Sequence, residues 1–141
     1  MKAVRTQLMI AALAGALAAA FPGSAVAQIG PDSERFIDAI EKQHSDEVID
    51  LVTKKGRAII NVRSFSGATP LTTAMRQRAT QYVVYLLENG ADPDLADRKG
   101  ETALLIAARL GYAEGVAAML AAKATVDATN RQGETALIVA V

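Results

Sequence analysis

From Phe36 onward the apolar positions arrive in short bursts at helical spacing, two bursts to a unit. Phe36, Ile37 and Ile40 give the first stripe, and Val48, Ile49, Leu51 and Val52 the second. A second pair follows. Ala74 and Met75 continue a helix that begins at Thr69-Pro70, and Val83, Leu86 and Leu87 line the inward side of a helix over Gln81–Leu87. A third pair runs over Thr102–Arg109 and Ala113–Ala121, with a break at Gly111. Polar, glycine-containing turns separate the pairs. Gly100-Glu101-Thr102-Ala103-Leu104 recurs as Gly133-Glu134-Thr135-Ala136-Leu137, 33 residues on, and Gly67-Ala68-Thr69-Pro70-Leu71 lies 33 residues back. The pattern therefore predicts an internal repeat of helix-turn-helix units, each able to bury its apolar side only against a neighbour.

Local chemistry supports the boundaries. Thr69 is placed to cap free N–H groups, and Pro70 occupies the first helical position, where its missing N–H costs nothing. Ser33 is the expected N-cap of the first helix, with Glu34 in its first turn. Asn89-Gly90 ends the second outer helix. Asp97-Arg98-Lys99-Gly100 reads as a type I turn. Two positions break local rules. Gly115 lies inside an outer helix at a cost of about 1 kcal/mol against alanine. Lys123 stands where Gly90 stood and is expected to take left-handed geometry, again at about 1 kcal/mol. The first unit is irregular: Val52 to Asn61 spans nine positions where Leu87 to Asp94 and Leu120 to Asp127 span seven, which predicts a longer loop through Lys54–Ile60. The fourth unit reaches Val141 within its first helix, with Ala136, Leu137, Val139 and Ala140 expected to pack on the third unit. Without an outer helix to cover them, the sequence reads as part of a longer array, or as one that a partner or second copy completes.

The N-terminus has a different pattern. Lys2 and Arg5 precede a charge-free run from Leu8 to Phe21, then Pro22-Gly23 and the small-residue site Ala25-Val26-Ala27. This predicts a signal peptide over 1–27, cleaved after Ala27, since the apolar run is short of the ~20 residues a spanning helix needs. A periplasmic or secreted product follows. An uncleaved N-terminus tethering an envelope scaffold is the alternative. Without residues 1–27 the chain keeps 13 basic and 15 acidic residues, a net charge of −2, which gives no electrostatic basis for nucleic-acid binding. After cleavage no membrane contact is expected. Cysteine is absent, which excludes disulfides, thiolate metal sites and cysteine nucleophiles. Alanine and leucine, not aromatics, carry the apolar content, as close-packed helices prefer.

The residues Asp97, Gly100, Thr102, Leu104, Ala107, Ala108, Gly111, Glu114, Val116 and Leu120, and with them Gly67, Thr69, Pro70, Leu71, Ala74, Val83, Leu86, Leu87, Gly90 and Ala91, resemble the ankyrin repeat. The resemblance is strong from residue 64 and weaker in the first unit. It implies an all-α solenoid of stacked helix-turn-helix units with short β-turn or hairpin loops. A leader over 28–33 would precede a repeat domain over 34–141, with units at about 34–63, 64–96 and 97–129 and a partial one at 130–141. Several positions depart from the family pattern. Its histidine is replaced by Thr72, Leu105 and Ile138, so the hydrogen bond that imidazole shares with the threonine is expected to be missing throughout. Its proline is replaced by Ala103 and Ala136, and its inter-helix glycine by Gln43 and Arg78.

No catalytic, cofactor or metal site is expected. His44 is a lone imidazole at the turn before an outer helix, without partner ligands. Asp92, Asp94 and Asp97 lack the remaining features of a calcium loop and read as turn residues. Glu101 and Glu134 are expected on successive turns facing water. The resemblance instead implies a non-catalytic protein-binding role through turn tips and the exposed side of the inner helices. By register those positions are Phe65, Ser66, Ala68, Arg76, Gln77, Arg98, Lys99, Glu101, Arg109, Leu110, Arg131, Gln132 and Glu134. Phe65, Arg76, Gln77, Arg98, Lys99, Glu101, Arg109 and Arg131 are the candidate partner-binding residues, with Phe65 beside Arg76 and Arg98 as the expected anchor.

Overall fold

The computed structural model describes residues 30–141, so the expected signal peptide and its cleavage site lie outside the described residues. Helix α1 (Pro31–Glu41) pairs with α2 (Ser45–Lys55). A single further turn, α3 (Arg57–Ile60), follows Gly56. Then come three units: α4 (Pro70–Arg76) with α5 (Thr80–Glu88), α6 (Ala103–Arg109) with α7 (Ala113–Ala121), and the lone α8 (Ala136–Ala140). The inner helices α1, α4, α6 and α8 stack in that order, and each outer helix packs on the inner helix of its own unit. No strand occurs among the described residues. The architecture is the all-α solenoid that the 33-residue period predicts.

Several local expectations are met and several are corrected. The first helix starts at Pro31 with Gly30 as its N-cap, so Ser33 is not the cap. It is buried within the first turn instead, and Asp32 and Glu34 supply the negative charge that a helix start favours. The lengthened connection of the first unit is not an open loop. It coils into α3 and drives Ile59 and Ile60 into the core. Burying two β-branched side chains offsets the cost of ordering the extra residues.

The core runs along the stack rather than gathering at a centre. Phe36 and Ile40, then Leu71 and Met75, then Leu104 and Ile106 form its inner-helix row, with Val48, Val83, Leu86 and Met119 entering from the outer helices. Gly115 belongs to this packing. A Cβ there would lie 2.5 Å from Met75 Sδ and 2.7 Å from Tyr112 Cε1. The glycine that looks costly in the sequence is therefore the notch that lets Tyr112 and Met75 close against α7.

The turns between helices keep one backbone conformation with different residues. Gln43 (φ 58°) and Arg78 (φ 51°) adopt the left-handed geometry that Gly111 (φ 60°) adopts in the third unit. Lys123 (φ 59°) does so after α7, as its register predicts. In α8, Ala136 packs against the core, but Leu137 is 77% and Ile138 57% exposed, so Leu137 does not pack on the third unit as expected.

Candidate interaction surface

The hairpin tips are built the same way in each unit. Asp97 N–H donates to Glu101 O (3.0 Å), and Gly100 N–H to Asp97 O (3.0 Å). One period on, Asn130 N–H donates to Glu134 O (3.1 Å), and Gly133 N–H to Asn130 O (3.1 Å). One period back, Ser64 and Ala68, with Gly67, repeat the pattern. A side-chain acceptor organises each turn. Asp97 Oδ1 takes the N–H groups of Lys99 (2.8 Å) and Glu101 (3.0 Å), and Asn130 Oδ1 those of Gln132 (2.9 Å) and Glu134 (3.0 Å). These are Asx-type turns, in which a short polar side chain substitutes for a backbone acceptor.

The tips touch one another. Gly67 lies against the Arg98 backbone, where a Cβ would sit 3.2 Å from Arg98 N, and Gly100 lies against Arg131, 3.1 Å from its N. Arg98 Nη2 donates to Phe65 O (2.6 Å), and Arg131 N–H to Lys99 O (3.4 Å). Phe65 N–H in turn donates to the Glu34 carboxylate. Phe65, Arg98, Lys99 and Arg131 thus form one continuous exposed row, with Phe65 63% exposed at its first-unit end.

Arg76 and Arg109 are placed differently. Arg76 ends α4 and binds Asp97 Oδ2 (2.6 Å) and Glu101 Oε2 (3.5 Å). Arg109 ends α6 and binds Glu101 Oε1 (2.7 Å) and Glu134 Oε2 (3.3 Å). The five charges form a ladder across three units, in the order Asp97, Arg76, Glu101, Arg109, Glu134. Glu101 does not face water as expected: its side chain is 10% exposed, buried between two guanidinium groups. Partial burial pushes the Asp97 carboxyl up, but the bonds it accepts from Arg76 and from the Glu101 and Lys99 amides outweigh this and hold it below its ordinary value. Arg76, Arg109 and Glu101, expected on the partner-facing side, spend their charges within the molecule. A sequence signal for this existed. Arg76–Glu101 and Arg109–Glu134 share one separation, and each member recurs one period on.

The remaining candidates are quickly placed. Gln77 is exposed at the end of α4. His44 is exposed, 4.0 Å from Glu47. Asp94 accepts the amide (2.7 Å) and hydroxyl (2.7 Å) of Thr125, so it links loops of adjacent units. Thr72, at the histidine position, supplies a hydrogen bond to the capping threonine that was expected to be missing. Thr69 N–H donates to Thr72 Oγ1 (2.9 Å), and Thr72 N–H to Thr69 Oγ1 (3.1 Å), a reciprocal capping box. With Leu105 and Ile138 only the single bond to Thr102 or Thr135 remains.

Residues 71–117 match the family model for ankyrin repeats (many copies). The matched span opens in α4 of the second unit and closes in α7 of the third, about a third of the chain. No curated protein shows a significant match to the chain. No helix among the described residues is long and apolar enough to cross a membrane.

Proposed function

We propose that the chain is an exported, non-catalytic protein-interaction module that engages its partner through the row of hairpin tips. Ankyrin repeats act as modules for binding other proteins, and the match over 71–117 brings that reading to this chain. The observation that carries it is the contrast between two faces. The stack closes its core and satisfies the charges of its inner-helix ends internally, while Phe65, Arg98, Lys99 and Arg131 stand exposed in one contiguous row. An exposed aromatic ring beside arginine is the composition from which binding hot spots are drawn. Export rests on the basic, apolar and small-residue succession at the N-terminus.

Two measurements test this. Mass spectrometry of the product from the native host should find Gln28 as the first residue, and Met1 would overturn cleavage in favour of a tethered envelope scaffold. Immobilised full-length chain should capture a protein from an envelope extract. A variant with Phe65, Arg98, Lys99 and Arg131 changed to alanine should lose that capture with an unchanged circular dichroism spectrum. Equal capture by both proteins would overturn the assignment of the surface.

A further inference from the structure

Resting on that reading, we propose that the row of tips takes an extended acidic peptide segment, its carboxylates against Arg98, Lys99 and Arg131 and a large apolar residue against Phe65. The chemistry follows from where charge is and is not compensated. The three cations are exposed, and none of them makes an ion pair among the described residues; the Arg98 guanidinium meets only the Phe65 carbonyl. The nearby carboxylates are already committed. Asp97 is held by Arg76 and by two turn amides, and Glu34 by the Phe65 N–H. An incoming carboxylate therefore finds three unpaired cations at Arg98, Lys99 and Arg131, while the Glu34 carboxylate lies at the Phe65 end, where the apolar residue is placed.

The inner-helix face offers the opposite. Its two arginines are bound to three carboxylates, so an acidic segment there would have to displace Glu101 from a buried site and would meet Glu134 as well. A basic segment is equally disfavoured on the tips. Continuity of the row favours an extended chain over a folded patch, because Phe65, Arg98, Lys99 and Arg131 are joined tip to tip by backbone and guanidinium hydrogen bonds. The phenyl ring at one end gives that chain a direction. A polynucleotide is disfavoured by the net charge of −2 over residues 28–141 and by the small number of cations.

Fluorescence anisotropy of the full-length chain tests the proposal. The probe is a fluorescein-labelled synthetic peptide of alternating aspartate and glycine ending in leucine. It should bind, and weaken severalfold as salt rises, since exposed charge pairs are screened. The triple variant Arg98→Gln, Lys99→Gln, Arg131→Gln should weaken binding by about tenfold or more, because long-range attraction and rim charges both vanish. Phe65→Ala should weaken it while leaving the salt dependence unchanged. Lys123→Ala, a cation removed elsewhere, should bind as the unaltered chain does. Each variant must keep the native circular dichroism spectrum, and the glutamine set guards against a structural effect of truncating Arg98. The proposal is overturned if the peptide with asparagine for aspartate binds equally, if the triple variant binds unchanged, or if single-stranded DNA or phosphatidylglycerol vesicles compete the peptide away. Failure of the peptide together with loss of natural capture in the tip variants would sink the acidic assignment and leave the interaction reading standing. If natural capture also survives those variants, both fall.

Discussion

At the scale of single residues, left-handed backbone separates two outcomes of one geometry. Arg78 and Lys123 share nearly the same φ, and each bears the strain of a Cβ there. Arg78 is compensated: its guanidinium donates to Leu110 O and sits 6.0 Å from the Tyr112 ring centroid. Lys123 has no such engagement among the described residues. Lys123→Gly is therefore expected to raise stability by about 0.5–1 kcal/mol, and Arg78→Gly to lower it, although both remove the same strain. Urea unfolding midpoints decide this, and a stabilised Arg78→Gly protein would contradict it. The left-handed turn was legible at Lys123 because the 33-residue period aligned it with Gly90. The compensation at Arg78 was not, because its partner lies in the next unit and touches it only through stacking. Thr72 teaches the same point. Measured against the histidine pattern it looked like a loss, yet a threonine hydroxyl can both donate and accept within one turn and so closes the box itself.

At the scale of elements, the helices were readable because their signals are local: spacing, caps and turn residues. The contacts between helices were not. Glu101 was expected in water because it lies on a turn of the solenoid, but Arg109 at the end of its own helix α6 reaches back to it and the stacking of α4 on α6 adds Arg76. The same stacking explains Gly115, which registered in the sequence merely as a broken rule. Gly115→Ala should lose about 1–2 kcal/mol despite improving helix propensity, because Tyr112 and Met75 must move apart. A rise in melting temperature would show the notch to be dispensable.

The ladder also predicts an acid response. The Asp97 carboxyl is lowered in the folded state, so its stabilisation is complete above the ordinary value of 3.8 and is lost as pH falls through the lower folded value. Asn130 holds the equivalent turn one unit on, so Asp97→Asn keeps the turn and removes the titrating group. The stability advantage of the unaltered chain over Asp97→Asn should hold at about pH 5 and shrink towards about pH 2. A constant difference across that range would exclude the ladder as its source.

At the scale of the whole molecule, a stack has no single centre, so protection should follow position along it. Leu71 and Met75 in α4 are covered by α1 on one side and α6 on the other, whereas α8 has α6 alone. Amide exchange should be slowest in α4 and α6 and fastest in α8, by several orders of magnitude if opening proceeds unit by unit. Uniform protection from Pro31 to Ala140 would mean that the units open only together.

A gene that encodes such a chain can gain or lose whole periods at little structural cost. Asn61 accepts the amide of Asp92 one loop on (2.8 Å), and Asp94 accepts that of Thr125 (2.7 Å). Excising one full period would bring Asn61 to the Thr125 amide, and the same kind of bond would form with the new neighbour. Excision of any other length would leave both groups facing the wrong residues. Extra length is accommodated where these bonds are not disturbed, as in the first unit, whose two additional residues before Asn61 coil into α3.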